Sequence, residues 1–263
     1  MSLLPVTAVH RRLSGEQLLL LMCLLALIAL AWLALQRMAS AMSGPGGMAD
    51  AAMAGMPMPW SAGDALLMFA MWAVMMVGMM LPSALPMLLL YQQILRKRLP
   101  TARRHLALAL FCAAYVFVWV GFALLATALQ WALEQLALLN SHEMRSTSTV
   151  LAAGLLLAAG IYQWLPNKAA CLEHCRGPLH FLLGYWQSGI LGGWRMGLAH
   201  GAYCLGCCWA LMGLLFVVGV MNLLWVALIG AFVLLEKNLA QGLWLSRICG
   251  LLLLGWGLWL LLG

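Results

Sequence analysis

From Met196 to Leu235 the chain carries no Asp, Glu, Lys or Arg, about 40 positions in a row, where a transmembrane helix needs about 20 apolar residues. Comparable runs recur along the sequence. Only 8% of the 263 residues are charged and 65% are hydrophobic, against roughly 25% charged in an ordinary soluble domain. A soluble globular enzyme is excluded. The formal charge of +7 also gives no nucleic-acid binder, because the basic residues sit between apolar runs rather than in dense stripes on a folded surface.

The runs give an all-α fold class: a polytopic integral membrane helix bundle of about seven transmembrane helices, or six if the first is cleaved. Candidate spans are Gln17 to Leu35, Asp64 to Tyr91, Arg104 to Leu129, Val150 to Trp164, two within Met196 to Leu235 with a turn near Gly219 to Asn222, and Gln241 to the C-terminus. The first exceeds the apolar core of a cleaved signal and reads as an anchor. Pro82 and Pro86 are expected to break or kink the second span. Gln130, Glu134 and Gln135 are expected to extend the third into the interface, and Phe181 to Trp186 to form an interfacial or re-entrant piece. The domain division is 1–63, an anchor helix with a Met-rich outer loop, and 64–263, the helix bundle.

With the N-terminus inside, one face holds Arg11, Arg12, Arg96, Lys97, Arg98, Arg103, Arg104, Lys168, Arg176, Arg195, Lys237 and Arg247, and the other only Arg37 and Arg145. Positive residues in short loops stay in the cytoplasm. The expected placement is therefore a bacterial inner membrane, with the N-terminus cytoplasmic and the C-terminus outside.

The sharpest pattern is His200-Gly201-Ala202-Tyr203-Cys204-Leu205-Gly206-Cys207-Cys208. With His200 at zero and about 100° per residue, Cys204, Cys207 and Cys208 fall at about 40°, −20° and 80°. One imidazole and three thiols share a helix face, which suits a thiophilic ion with further ligands from elsewhere. Those further ligands are expected from Cys171, His174 and Cys175 in the preceding loop, at the same membrane face, with Lys168 and Arg176 favouring the thiolate form. Cys as small apolar filler and His as a hydrogen-bonded interior residue is the plain alternative for either residue alone.

Met68, Met71, Met75 and Met79 lie within an arc of about 80°, with Met76, Met80 and Met87 along the adjacent row. Helix methionines more often pack than bind. Ahead of them, Met38, Met42, Met48, Met53, Met56 and Met58 stand among Gly, Pro and Ala, where soft thioethers suit Cu(I) better than a hard cation. Gly189, Gly193, Gly197 and Gly201 form a small-residue ridge for close helix approach, and Glu236-Lys237 reads as a plain ion pair. Phosphate-loop, H-E-x-x-H and nucleophile-elbow motifs are absent, so ATP-driven pumping by this chain is not expected and an enzyme is the less favoured reading.

At Cys171-x3-Cys175-Arg176, His200-Gly201-x2-Cys204-x-Gly206-Cys207-Cys208-Trp209-x2-Met212, Gly219-Val220-Met221-Asn222 and Glu236-Lys237, with Met75-Met76, Met79-Met80 and Pro82-Ser83, the chain resembles a bacterial family of predicted metal-binding integral membrane proteins. The likeness runs from about residue 64 to 240, and Cys-Leu-Gly-Cys-Cys-Trp is its specific string. That family is a domain of unknown function. The resemblance implies metal binding within a membrane bundle and names no ion or reaction; the Met-rich loop lies outside it.

The expected function is membrane metal handling, with Cu(I) the preferred ion and Zn(II) the other candidate, for transport or delivery. Expected partners are the ion, the bilayer, and a metallochaperone or another membrane subunit, with no nucleic acid. A membrane thiol-disulfide oxidoreductase using Cys204 with Cys207 or Cys171 with Cys175 is the second reading, disfavoured by the reducing cytoplasmic face. A structural subunit of a membrane complex is the third.

Overall fold

The computed structural model describes residues 15–43, 60–140 and 145–262, which form an all-α bundle with a short two-stranded pairing. Met48, Met53, Met56 and Met58 of the outer loop, and Arg11 and Arg12, lie outside the described residues, and the side chain of Met42 is likewise not described. The helices are α1 Gly15–Ser43, α2 Ala62–Arg98, α3 Thr101–Gln135, α4 Thr149–Tyr162, α5 Pro166–Arg176, α6 Pro178–Gly184, α7 Ile190–Gly213, α8 Leu215–Val218, α9 Leu223–Asn238 and α10 Gly242–Leu262. Strands β1 Leu139–Asn140 and β2 Arg145–Ser146 pair antiparallel between α3 and α4.

Local chemistry explains the boundaries. Ser61 and Asp64 cap α2 reciprocally, side chain to backbone in both directions, which satisfies donors that no helical carbonyl can reach. Pro166 and Pro178 open α5 and α6, where a missing N–H costs nothing. Between α8 and α9, Gly219 adopts φ 95°, a left-handed conformation open mainly to glycine, and Asn222 then caps α9 through the Trp225 N–H at 3.4 Å.

Among the described residues five helical stretches are long and apolar enough to cross a membrane: Gly15–Ala41, Ala62–Arg98, Thr101–Gln135, Ile190–Val218, which joins α7 and α8, and Gly242–Leu262. The pair α4 and α5, bent by 65°, has the length and composition of a further broken span or of a re-entrant loop. At about 1.5 Å per residue the 14 residues of α4 fall short of a hydrocarbon core about 30 Å thick. The bend at Gln163 to Leu165 therefore carries Cys171 and Cys175 back toward the bundle. Outward faces are rich in Leu and Trp, with Leu19, Leu252, Trp244 and Trp259 each more than 60% exposed. So large an apolar surface is what a lipid bilayer, not water, covers.

Three expectations about the helices gain detail from the structure. Pro82 and Pro86 do not break α2, which continues to Arg98; beside them the Met80 carbonyl accepts from Ser83 Oγ of the same helix at 2.8 Å and from Tyr115 Oη at 3.0 Å, and the tyrosine ties this stretch to α3. The third helix does extend through Gln130 and Glu134 to Gln135, and the first two of these side chains are buried. Trp72 Nε1 donates to Gln130 Oε1 at 2.8 Å, Gln130 Nε2 donates to Glu134 Oε1 at 2.9 Å, and Trp60 Nε1 donates to Glu134 Oε2 at 2.8 Å. Phe181 to Trp186 lies in and just after the seven-residue α6, a short piece packed onto the bundle. Phe181 and Leu182 of α6 are buried, and Phe181 packs edge-on to His200.

The glycine ridge does what its spacing implies. A Cβ at Gly193 would strike the Ala107 carbonyl, and one at Gly197 the Phe111 carbonyl, while Gly201 abuts Val118. Between lipid-embedded helices, where burial from water supplies no force, such close backbone approach supplies dispersion contact instead. It also fixes the cysteine face of α7 against α2 and α3.

Candidate metal centre

Helix α7 turns His200, Cys204, Cys207 and Cys208 into the interior, all four buried. The shared face read from the helical wheel is real. Cys175, from α5, is packed against the same core and is close enough to Cys204 and Cys207 to interact with them, as Cys208 does. Four thiols from two helices thus meet. The Cys207 and Cys208 thiols are turned onto the Cys204 carbonyl, at 3.1 and 2.9 Å. As they stand, no group of three or more His, Cys, Asp and Glu among the described residues is arranged to hold a metal ion. All eight cysteines are free.

Cys171 and His174 take other positions. The Cys171 sulfur fills the space over Gly206, 2.8 Å from where a Cβ would stand, so α5 rests on α7 at its thiol. His174 stacks on Tyr203 at 4.3 Å between ring centroids and is bonded through Nδ1 to the Ala170 carbonyl at 2.8 Å. Its ring belongs to a cluster with His180, Tyr185 and Tyr203 rather than to the thiols. His200 is enclosed by Tyr115, Phe111 and Phe181, and its buried Nδ1 has no hydrogen-bond partner.

The methionine stripe is entirely interior: Met68, Met71, Met75, Met76, Met79, Met80 and Met87 are all buried. Met80, in the row beside the narrow arc, is the member that meets the cysteines, its Sδ 3.9 Å from Cys208 Sγ. Met79 packs on Gly230 of α9, and Met68 stands at the far end, 3.7 Å from Gln130 Nε2.

Glu236 and Lys237 do not form an ion pair with each other. Consecutive helix positions point about 100° apart, and here they serve different partners. Glu236 Oε1 lies 2.5 Å from Lys168 Nζ, with Gln163 and Ser246 completing that buried network. Lys237 instead donates to Cys204 Sγ at 2.9 Å and to Ser83 Oγ at 3.2 Å. Lys168 is therefore committed to a carboxylate and Arg176 to the Ala240 carbonyl at 2.5 Å; the cation beside the thiols is Lys237. Tyr115, whose Oη is 3.0 Å from Cys204 Sγ, is the other polar neighbour that sequence reasoning missed. A lysine closing so long an uncharged run was the available signal for the first. No signal marked the tyrosine.

An all-helical membrane bundle with a sulfur-lined interior is the class that fold and site define together. Residues 69–260 match the PpoB2 family, described as a copper chaperone, and the chain belongs to that family. No curated protein and no solved structure matches it. Copper is thus the cargo against which the interior is to be judged, and the donors fit it. Thiol and thioether sulfur with an imidazole is a soft set, matched to copper rather than to a hard cation.

Proposed function

We propose that the chain receives Cu(I) within the bilayer and holds it at Cys175, Cys204, Cys207 and Cys208, with Met80 leading into the thioether row of α2. The observation that carries this reading is the 3.9 Å contact between Cys208 Sγ and Met80 Sδ. It joins a thiol cluster to a continuous line of neutral sulfur ligands. Rotation of the Cys207 and Cys208 side chains away from the Cys204 carbonyl is the step that frees both sulfurs for an ion. His200, through its unpartnered Nδ1, is a further ligand; Cys171 and His174 lie on the approach from the surface.

In this reading residues 64–263 are the working bundle, and 1–63 supply an anchor and a methionine-rich collecting loop. The twelve-to-two distribution of basic residues supports a cytoplasmic N-terminus and thiols near the cytoplasmic side of an inner membrane. Contacts at that end fit it: Arg96 and Arg104 both face Glu16, and the Arg98 guanidinium lies 4.5 Å over the Trp186 ring. Thioethers release Cu(I) more readily than thiolates do, so the loop and row deliver while the cysteines retain.

The test is the metal content of full-length protein purified in detergent under reducing conditions and loaded with Cu(I) or Zn(II). Bound Cu(I) in the parent, lost in Cys204→Ser and in Cys207→Ser, is the expected result. Equal Cu(I) in parent and both variants leaves the cysteines with packing alone. A disulfide between Cys204 and Cys207 that turns over with a quinone would favour the oxidoreductase instead.

A further inference from the structure

Among the described residues Lys237 has no carboxylate within reach. Its neighbour Glu236 is held by Lys168 and Ser246 on another face of α9, with Gln163 accepting from the same Lys168. The ammonium is buried, and its hydrogen bonds go to a hydroxyl, Ser83 Oγ, and a sulfur, Cys204 Sγ. Buried charges are ordinarily paired, because an uncompensated charge in an apolar interior is costly. The two buried lysines therefore differ in kind: Lys168 has its counter-ion among the side chains, and Lys237 has only the thiol cluster.

Resting on the copper reading above, we infer that Lys237 is the built-in counter-charge for a cuprous dithiolate that includes Cys204. A monovalent ion held by two thiolates carries one net negative charge. One ammonium against one of the two sulfurs makes the loaded site neutral, which is the state a low-dielectric bundle accommodates. Without that charge the same two thiolates would bring an unpaired anion into the bilayer. Lys237 touches sulfur rather than the ion, so it is a positioning residue that acts through Cys204. It also favours thiolate ligands over thioethers at this one end of the bundle, since a thioether would leave the ammonium unpaired.

The experiment measures Cu(I) affinity of the full-length protein in detergent, by competition with a chromogenic cuprous chelator. The variants are Lys237→Met, Lys237→Arg and Cys207→Met, with the double variant of Lys237→Met and Cys207→Met. Lys237→Met should bind at least tenfold more weakly and Lys237→Arg, which keeps the charge, within about threefold of the parent. Cys207→Met exchanges a thiolate for a neutral sulfur, so it should cost less in the Lys237→Met background than in the parent. A purely structural lysine would not produce that non-additivity. Where Lys237→Met is not monodisperse on size exclusion, Lys237→Gln removes the charge while keeping a hydrogen bond to Ser83. Affinity within threefold of the parent in the neutral variant, or equal losses in the Met and Arg variants, overturns the counter-charge while leaving the copper site standing. A parent protein that binds no Cu(I) overturns the copper reading itself.

Discussion

The bundle has two sulfur-rich regions, the cysteine end of α7 and the methionine row of α2, and burial does not tell them apart. Cys204, Cys207 and Cys208 are as enclosed as Met75, Met76 and Met80. Their surroundings differ. The thiols lie among Lys237, Tyr115 and His200, and make hydrogen bonds to the Lys237 ammonium, the Tyr115 hydroxyl and the Cys204 carbonyl. The thioethers share their core with Trp72 and Phe216, whose rings stand 5.2 Å apart, and with the Gly230 backbone. A thioether cannot ionise, so the row is a satisfied apolar core with or without cargo. A thiol loses its proton to a metal, and the cysteine end places a cation where that charge would appear. Polar company, more than sulfur content, separates a holding site from a passage.

The comparison breaks most plainly at Cys204. Cys204→Ser should abolish detectable Cu(I) binding, and adding Cys175→Ser should lose little more, because residues that act as one site are not additive. Independent losses in a titration of single and double variants would mean that α5 and α7 do not share an ion. Next in size is the ion pair beside the site. Lys168→Met leaves the Glu236 carboxylate buried with no counter-charge and only the Ser246 hydroxyl, a loss of about 3–5 kcal/mol for such pairs. Thermal stability should fall sharply while Cu(I) affinity of the folded fraction stays near the parent's. A parallel loss of affinity would tie Lys168, too, to the cargo.

A smaller effect tests the ridge that holds the two regions together. In Gly197→Val the added carbon meets the Phe111 carbonyl, a backbone atom that cannot rotate aside, so α7 must move from α3. Overpacking of this kind costs about 1–3 kcal/mol. A thermal unfolding midpoint below the parent's, with weakened Cu(I) binding, is expected; Gly213→Ala, where a Cβ meets nothing within 4 Å, should be neutral on both measures.

Much of this was legible in the sequence. Apolar runs gave the bundle, the 200, 204, 207, 208 spacing gave one helix face, and the glycine repeat gave the close approach to α3. What escaped depends on which face of one helix meets which face of another. The narrow methionine arc passed over Met80, because the helical wheel orders α2 without showing where α7 lies. Glu236 and Lys237 read as a pair because they adjoin in sequence, and only the packing of α5 and α10 around α9 sends one to Lys168 and the other to Cys204. His174 was grouped with its cysteine neighbours by spacing, whereas α5 turns it toward Tyr203. Burial of Glu134 was hidden for the same reason, since Trp60 and Gln130, its two partners, sit 74 and 4 residues away in the chain.

The finest distinction concerns two members of the methionine row. Met80→Leu and Met75→Leu each remove one buried sulfur and keep nearly the same volume, a substitution that ordinarily costs less than about 1.5 kcal/mol. Stability should therefore barely separate them. Met80, 3.9 Å from Cys208, supports the thiol cluster directly, so its loss should weaken Cu(I) binding by about tenfold, the lower range for removing a supporting contact around a metal. Met75 lies further along the row. Its loss should leave equilibrium affinity unchanged and slow only the arrival of Cu(I) supplied to protein in sealed vesicles. Equal affinities and equal loading rates in the two variants would reduce the whole row to packing, and a tenfold loss of affinity in Met75→Leu would extend the holding site into the row.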